Sequence, residues 1–151
     1  SLIRKVLDVS QADLNHSLQG QPLGEALLAP TRIYVKSLLA LLQDVPVHAL
    51  AHITGGGVSE NLPRVLPEYS RAMITRKHWD FPPVFKWLQD TGNITEAEML
   101  RTFNCGIGMV VCVAADDAEH TSDLLQAQGE TVYHLGHIAA DKHQTPQVVY
   151  C

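Results

Sequence analysis

The chain has 151 residues, the length of one ordinary domain; 46% of them are apolar and 18% are charged. Its net charge of -5 and the absence of a Lys/Arg cluster argue against nucleic-acid and membrane partners. No apolar window approaches the roughly 18 uninterrupted residues of a membrane helix, no leader resembles a signal peptide, and the three cysteines form no CxxC pair. These features predict a soluble, cytoplasmic protein.

The first third of the chain predicts mainly helices. Apolar residues at helical spacing indicate a helix over residues 2–7, and its abrupt beginning leads us to expect a piece of a longer protein. The polar stretch 10–22 has no clear period and predicts a surface loop. A short helix is expected over 23–29, and the apolar stripe from Ile33 to Leu42 predicts a longer one.

The middle of the chain predicts a strand, a glycine loop and a short helix in succession. Residues 45–53 alternate between two faces, which is typical of a strand. Three consecutive glycines follow, and then a helix over about 59–66 that Pro63 and Pro67 keep short. A further strand is expected over 70–75.

The remaining elements are two helices, a strand, a helix and two strands. Phe81-Pro82-Pro83 opens a helix that Gly92 ends, and Thr95 with Glu98 forms a predicted capping box for the next. Strands are then expected over 109–114, 132–139 and 147–150, with a helix from Asp116 to Gly129 before the last two. Because the order lacks regular βα alternation, the prediction is an α+β fold with a mixed β-sheet and packed helices.

The glycine loop carries the clearest functional pattern. Thr54-Gly55-Gly56-Gly57 joins a strand to a helix start that holds Ser59 and Asn61, an arrangement typical of an anion site because glycine N-H groups and a helix N-terminus meet there. It matches neither a Walker A loop nor a GxGxxG fingerprint, and a simple turn is the alternative. Arg64 is placed to add a bidentate phosphate contact, unless it is a solvated surface residue.

Two further groups are candidates with structural alternatives. His52 precedes the loop and is positioned to face a ligand, although a structural role is equally open. His48 shares its strand face but lies about 13 Å away, too far to chelate one ion, so no metal site is predicted. Cys105 is a possible nucleophile, but no partner base is evident and an inert thiol is the alternative.

Four separated motifs give the chain a family resemblance. In order they resemble the C-terminal half of phosphoribosylformylglycinamidine cyclo-ligases, also called aminoimidazole ribonucleotide synthetases: Leu28-Ala29-Pro30-Thr31-Arg32-Ile33-Tyr34, His52 to Pro67, Trp87-Leu88-Gln89, and Arg101 to Gly108. The likeness extends from Ser1 to near the C-terminus. It implies a single domain over 1–151, the C-terminal half of a two-domain ligase.

The resemblance also implies an activity in de novo purine synthesis. Enzymes of this family use ATP and Mg²⁺ to close formylglycinamidine ribonucleotide into aminoimidazole ribonucleotide, through phosphoryl transfer and then ring closure. Their N-terminal half binds most of the ATP and Mg²⁺ and forms the homodimer interface, and the active site lies between the halves. The chain's expected partners are therefore the substrate nucleotide and its own N-terminal domain, and the chain alone is predicted to be inactive.

Residue by residue, the family motifs indicate which side chains line that cleft. The expected substrate or phosphate contacts are Thr54, Gly55, Gly56, Gly57 and Asn61. Arg64 is expected to add a further contact, and His52 is the expected catalytic residue. Thr31, Arg32, Asn104 and Gly106 match motif positions near the cleft. Where many relatives have two bulky residues after the glycines, this chain has Val58 and Ser59.

Two other interpretations stay open at this point. The first is a sister enzyme whose C-terminal domain shares the architecture, such as formylglycinamidine synthase, selenophosphate synthetase or thiamine-monophosphate kinase; the motifs at 30–34 and 103–108 favour the cyclo-ligase. The second is a binding domain without catalysis of its own.

Overall fold

The computed structural model describes all residues, 1–151. Seven α-helices and seven strands alternate irregularly along the chain: α1 Leu2–Ser10, β1 Ser17–Leu18, β2 Gln21–Pro22, α2 Leu23–Leu27, α3 Val35–Asp44, β3 Val47–His52, α4 Gly57–Asn61, β4 Ser70–Ile74, α5 Pro83–Thr91, α6 Glu96–Thr102, β5 Met109–Val113, α7 Ala118–Ala127, β6 Gly136–Ala140 and β7 Gln147–Tyr150. Short 3₁₀ turns lie at Leu62–Val65, Arg76–His78 and Ala115–Asp117. None of the helices is both long enough and apolar enough to cross a membrane.

The strands form three small sheets. β1 and β2 make a hairpin, β3 pairs antiparallel with β5, and a mixed sheet has the order β6-β4-β7. In the mixed sheet β4 is antiparallel to β6 and parallel to β7. Helices packed on these sheets give an α+β fold, so the predicted fold class is confirmed.

One large apolar core joins the glycine-loop region to the mixed sheet. It contains 15 buried residues drawn from most elements, including Ile53 before the loop, Val58 and Leu62 after it, Ala72 in β4, and Met99 in α6. A fully buried Val, Leu, Ile or Met side chain contributes about 1.5–3 kcal/mol to folding, so both ends of the loop are firmly anchored. A second cluster of three residues, Leu41, Val45 and Leu125, holds α3 against α7.

Several helix ends follow the predicted local chemistry. The Thr95 hydroxyl accepts a hydrogen bond from the Glu98 N-H at 3.3 Å and caps α6. Pro83 is the first residue of α5, where its missing N-H costs nothing. Gly92 ends that helix, and its N-H donates to Leu88 O at 3.0 Å.

Some boundaries differ from the prediction. The stretch 10–22 is not all loop, because the β1–β2 hairpin pairs Ser17 with Pro22 and leads directly into α2. The helix expected over 59–66 begins at Gly57 and continues as the 3₁₀ turn, since Pro63 has no N-H to donate to an α-helical bond.

The last part of the chain also differs. The strand expected over 132–139 begins only at Gly136, because its pairing with β4 begins at the pair Gly136–Ile74, where β4 ends. The final strands β6 and β7 are not paired with each other; they lie on opposite sides of β4. Strand order depends on contacts between distant segments, which the spacing of apolar residues does not encode.

Candidate functional site

The glycine loop lies between the end of β3 and the start of α4, as its sequence predicted. The Ile53 N-H donates to Gly108 O at 2.9 Å, which ties the end of β3 to the entry of β5. The Gly57 N-H then donates to Thr54 O at 3.0 Å, and the Glu60 N-H donates to Gly56 O at 3.1 Å. The N-H groups of Gly55 and Gly56 donate to no group of the chain. The loop therefore offers two adjacent free donors, which suit an anion.

Two of the three glycines are required by the backbone conformation. Gly56 and Gly57 have φ angles of +99° and +58°, in the left-handed region that a side chain disfavours. A Cβ on Gly57 would also overlap the carbonyl oxygen of Leu100 and lie 2.7 Å from Phe103 O. Gly55 has neither constraint, because a Cβ there would meet nothing within 4 Å. The short distances at Gly57 show that α6 packs closely beneath the loop there.

Asn61 holds the loop from inside. Its side chain is only 7% exposed, and its Nδ2 group donates to Gly57 O at 2.8 Å and to Gly55 O at 3.1 Å. Its Oδ1 accepts a 3.4 Å hydrogen bond from the Thr54 hydroxyl. The amide is thus occupied by the loop itself.

A cleft of about 480 Å³ lies beside the loop and collects most of the predicted site residues. Apolar residues of α1, α2 and α5 form its floor, namely Ile3, Ala26, Leu27, Val84, Phe85 and Leu88. Seven of the eleven predicted residues line it, namely Thr31, Arg32, His52, Thr54, Gly55, Asn104 and Gly106. The segments 29–34, 52–55 and 102–108 therefore meet at one place although they are far apart in sequence.

The other four predicted residues do not line this cleft. Gly57 and Asn61 are buried on the inner side of the loop, and Gly56 adjoins the cleft-lining Gly55 without lining the cleft itself. Arg64 is exposed on the 3₁₀ turn after α4 and forms no ion pair within the chain. His48 is exposed on β3. No group of three or more His, Cys, Asp or Glu side chains is arranged to hold a metal ion.

Arg32 is tied to the end of α7 at the rim of the cleft. Its Nε donates to Glu130 Oε2 at 2.7 Å and its Nη2 to Gly129 O at 3.1 Å, while Ser37 donates to Glu130 Oε1 at 2.6 Å. Burial acts to raise the pKa of Glu130, but the hydrogen bonds from Ser37 and Arg32 and the positive charge of Arg32 outweigh it and lower the pKa. The carboxylate therefore fixes the position of the Arg32 guanidinium.

Tyr34 is a cleft residue that the sequence did not single out. Its ring meets the His52 ring edge-on, with centroids 6.4 Å apart and planes at 68°. Its hydroxyl lies where a Cβ on Gly108 would be, which explains why that position is glycine. Burial and then the Glu130 carboxylate raise the pKa of Tyr34, against an opposing effect of Arg32. The trace of this contact in the sequence is the second glycine of Gly106-Ile107-Gly108, which leaves room for the Tyr34 hydroxyl.

Asn104 shapes the opposite side of the cleft. Its Oδ1 accepts from the Gly106 N-H at 3.0 Å, and its carbonyl accepts from the Ile107 N-H at 2.9 Å, so it closes a tight turn. Gly106 has φ +95°, and a Cβ there would lie 2.6 Å from Pro82 Cδ. Cys105, between them, is buried, and burial raises its pKa to about 12, which fits an inert thiol and not a nucleophile.

A larger groove of about 1100 Å³ lies on the other side of Arg32 and Tyr34. It is bounded by β5, α7 and residues 130–138, and its lining is mainly apolar. Of the predicted site residues it includes only Arg32 and Gly106. The smaller cleft is therefore the better candidate, because it combines the free N-H group of Gly55, and the neighbouring one of Gly56, with a histidine, a tyrosine and an arginine.

A family model matches almost the whole chain. The model describes the C-terminal domain of AIR synthase related proteins, and it matches residues 1–149.

Proposed function

The chain belongs to the family of AIR synthase related C-terminal domains, and from this premise we propose that it is part of a phosphoribosylformylglycinamidine cyclo-ligase. In that role it is the C-terminal half of a longer enzyme, which acts in the cytoplasm as a homodimer. It contributes one wall of an active-site cleft, and its own N-terminal domain supplies the other. The substrate is formylglycinamidine ribonucleotide, which is closed to aminoimidazole ribonucleotide at the expense of ATP.

The observation that carries the proposal is the convergence at the cleft. Three motifs that resemble the cyclo-ligases line the cleft. One of them brings the free N-H group of Gly55 to the cleft, with the free N-H group of Gly56 next to it. A phosphate group fits donors of this kind, because backbone N-H groups neutralise its charge without a side chain having to move. The apolar floor with the Tyr34 and His52 rings suits the flatter part of a nucleotide.

The cleft residues do not fit a magnesium ion. Mg²⁺ takes oxygen ligands, usually with one or two carboxylates, and no Asp or Glu lines the cleft. We therefore assign these residues to holding and orienting the substrate and phosphate oxygens, and propose that the N-terminal half supplies most of the Mg²⁺ ligands. In the proposed reaction ATP supplies the phosphoryl group that activates the formyl oxygen. His52 is the titratable side chain of the rim nearest the loop, and it is our candidate for moving a proton.

The activity of the full-length parent protein tests the assignment. With formylglycinamidine ribonucleotide, ATP and Mg²⁺ present, we expect ADP release matched by formation of aminoimidazole ribonucleotide. The 151-residue chain alone is expected to give no turnover. Turnover only with formylglycinamide ribonucleotide and glutamine, with selenide, or with thiamine monophosphate would assign the parent to a sister enzyme instead. Turnover by the 151-residue chain would refute the requirement for the other half.

The phosphate role of the loop is tested separately by amide NMR of this chain. Inorganic phosphate and the substrate nucleotide are each titrated into the wild type and into Gly56→Ala. Gly20→Ala is the matched control, because Gly20 has a similar φ of +92° but lies outside the cleft. We expect shifts at Thr54 to Asn61 in the wild type and the control, and their loss in Gly56→Ala. Equal shifts in all three proteins would contradict a phosphate role.

A further inference from the structure

The orientation of the loop N-H groups can be traced to the carbonyl groups that precede them. In a trans peptide the C=O of one residue and the N-H of the next point in opposite directions, and the chain has no cis peptide bond. Thr54 O points inward to accept from the Gly57 N-H, so the Gly55 N-H points outward. Gly55 O points inward to accept from Asn61 Nδ2, so the Gly56 N-H points outward.

The second of these orientations depends on Asn61 alone. The Gly55 carbonyl has no backbone donor, and the Asn61 amide is its partner. The same amide bonds Gly57 O, and Oδ1 accepts from Thr54, so one side chain contacts three of the four loop residues. Consecutive glycines have wide conformational freedom, and a loop made of them keeps one orientation only if something else fixes it.

We propose that Asn61 is a positioning residue, which keeps the Gly56 N-H turned outward and does not itself contact the bound group. Both of its N-H bonds are directed to loop carbonyls, and the side chain does not line the cleft. The idea that the outward Gly56 N-H binds a ligand rests on the proposed phosphate role of the loop. The positioning itself stands on the hydrogen bonds and is testable without any ligand.

The first experiment compares the loop amides of the wild type and Asn61→Ala by NMR. We expect the Gly55, Gly56 and Gly57 resonances to shift and broaden in the variant, while amides of β4 and β5 keep their shifts. Asn15→Ala is the control, since it removes an exposed asparagine side chain whose one hydrogen bond is to Asp13. Unchanged loop resonances in Asn61→Ala would overturn the proposal.

A second variant separates positioning from general loss of structure. Asn61→Asp has nearly the same shape, but its ionised carboxylate donates no hydrogen bond and faces two carbonyl oxygens. A protonated carboxyl donates one bond, so we expect the wild-type loop resonances to return in part as the pH is lowered and that carboxyl is protonated. This pH-dependent return would be absent if Asn61 only filled space. Loop resonances that stay at wild-type positions across the titration would count against the proposal, and this variant also decides the matter if Asn61→Ala does not fold.

Phosphate titration then links the two proposals while keeping them distinguishable. If the wild type binds phosphate, we expect Asn61→Ala to bind about tenfold more weakly, the equivalent of roughly one hydrogen bond. Direct contact would instead shift the Asn61 side-chain amide resonance strongly on binding, which would overturn the positioning role. If the wild type binds no phosphate but Asn61→Ala disorders the loop, the phosphate role fails and the positioning role stands.

Discussion

Gly57→Ala is expected to destabilise the fold more than any other alanine substitution in the glycine loop. An alanine there must adopt a φ of +58°, which costs about 1–2 kcal/mol for a residue with a side chain. Its Cβ would also overlap the Leu100 carbonyl oxygen and lie 2.7 Å from Phe103 O. Both neighbours are backbone atoms, so they move only if α6 shifts, and overpacking of this kind costs about 1–3 kcal/mol.

The two costs are partly offset in the unfolded chain. Replacing glycine by alanine reduces the entropy of the unfolded state and returns about 0.4–1 kcal/mol. The net loss is therefore about 1–4.5 kcal/mol, which corresponds to a fall in melting temperature of about 2–18 °C for a chain of this length. Urea denaturation followed by circular dichroism, together with a thermal scan, measures both quantities.

Gly55→Ala is the matched control for this prediction. Gly55 lies two residues away in the same loop, its φ is outside the left-handed region, and a Cβ there would have open space. We expect this variant to lie within about 1 kcal/mol of the wild type in unfolding free energy. Equal unfolding free energies for the two variants would show that α6 does not pack against Gly57 as closely as described.

Three further outcomes are expected. In Glu130→Gln, stability should fall at neutral pH because the ion pair with Arg32 is lost. The folded-state pKa of Glu130 is lowered, so its contribution to stability is present above the unfolded pKa of about 4.3 and disappears as the pH falls through the folded-state pKa. Urea denaturation of both proteins should therefore show a smaller difference in unfolding free energy at about pH 3 than at about pH 7. Native Cys105 should resist iodoacetamide while exposed Cys151 reacts, because burial raises the Cys105 pKa to about 12; modification of both at equal rates, read by peptide mass spectrometry, would contradict this. Thr95→Ala should cost about 1 kcal/mol in thermal unfolding through loss of the α6 cap, and Thr95→Ser should restore most of it.

The local arrangement of the site could be predicted because its determinants are close together in sequence. Alternation over 45–53 predicted β3, the glycine triplet predicted the loop, and Thr95 with Glu98 predicted a cap that the structure confirms. Each of these patterns acts through backbone groups within a few residues, so the neighbours are known in advance. The α+β class followed from the irregular order of the same elements.

Other features depended on which distant segments meet. Three motifs separated by tens of residues line one cleft, but Arg64, predicted with the same motif as the loop, lies outside it. Glu130 was not predicted at all, because its pairing with Arg32 spans 98 residues. The order β6-β4-β7 likewise places the last two strands on either side of β4 instead of side by side.

The sequence by itself determined the type of loop and the residue types available to it, because glycine conformations and helix ends are set by neighbouring residues. Only the tertiary structure decided what those residues do. Asn61, predicted to contact substrate, has its amide bonded to the loop carbonyls, and Tyr34, not predicted, fills the space that Gly108 leaves. A polar side chain bonds whichever groups the packed core places within reach, and that choice is made when the segments of the chain come together.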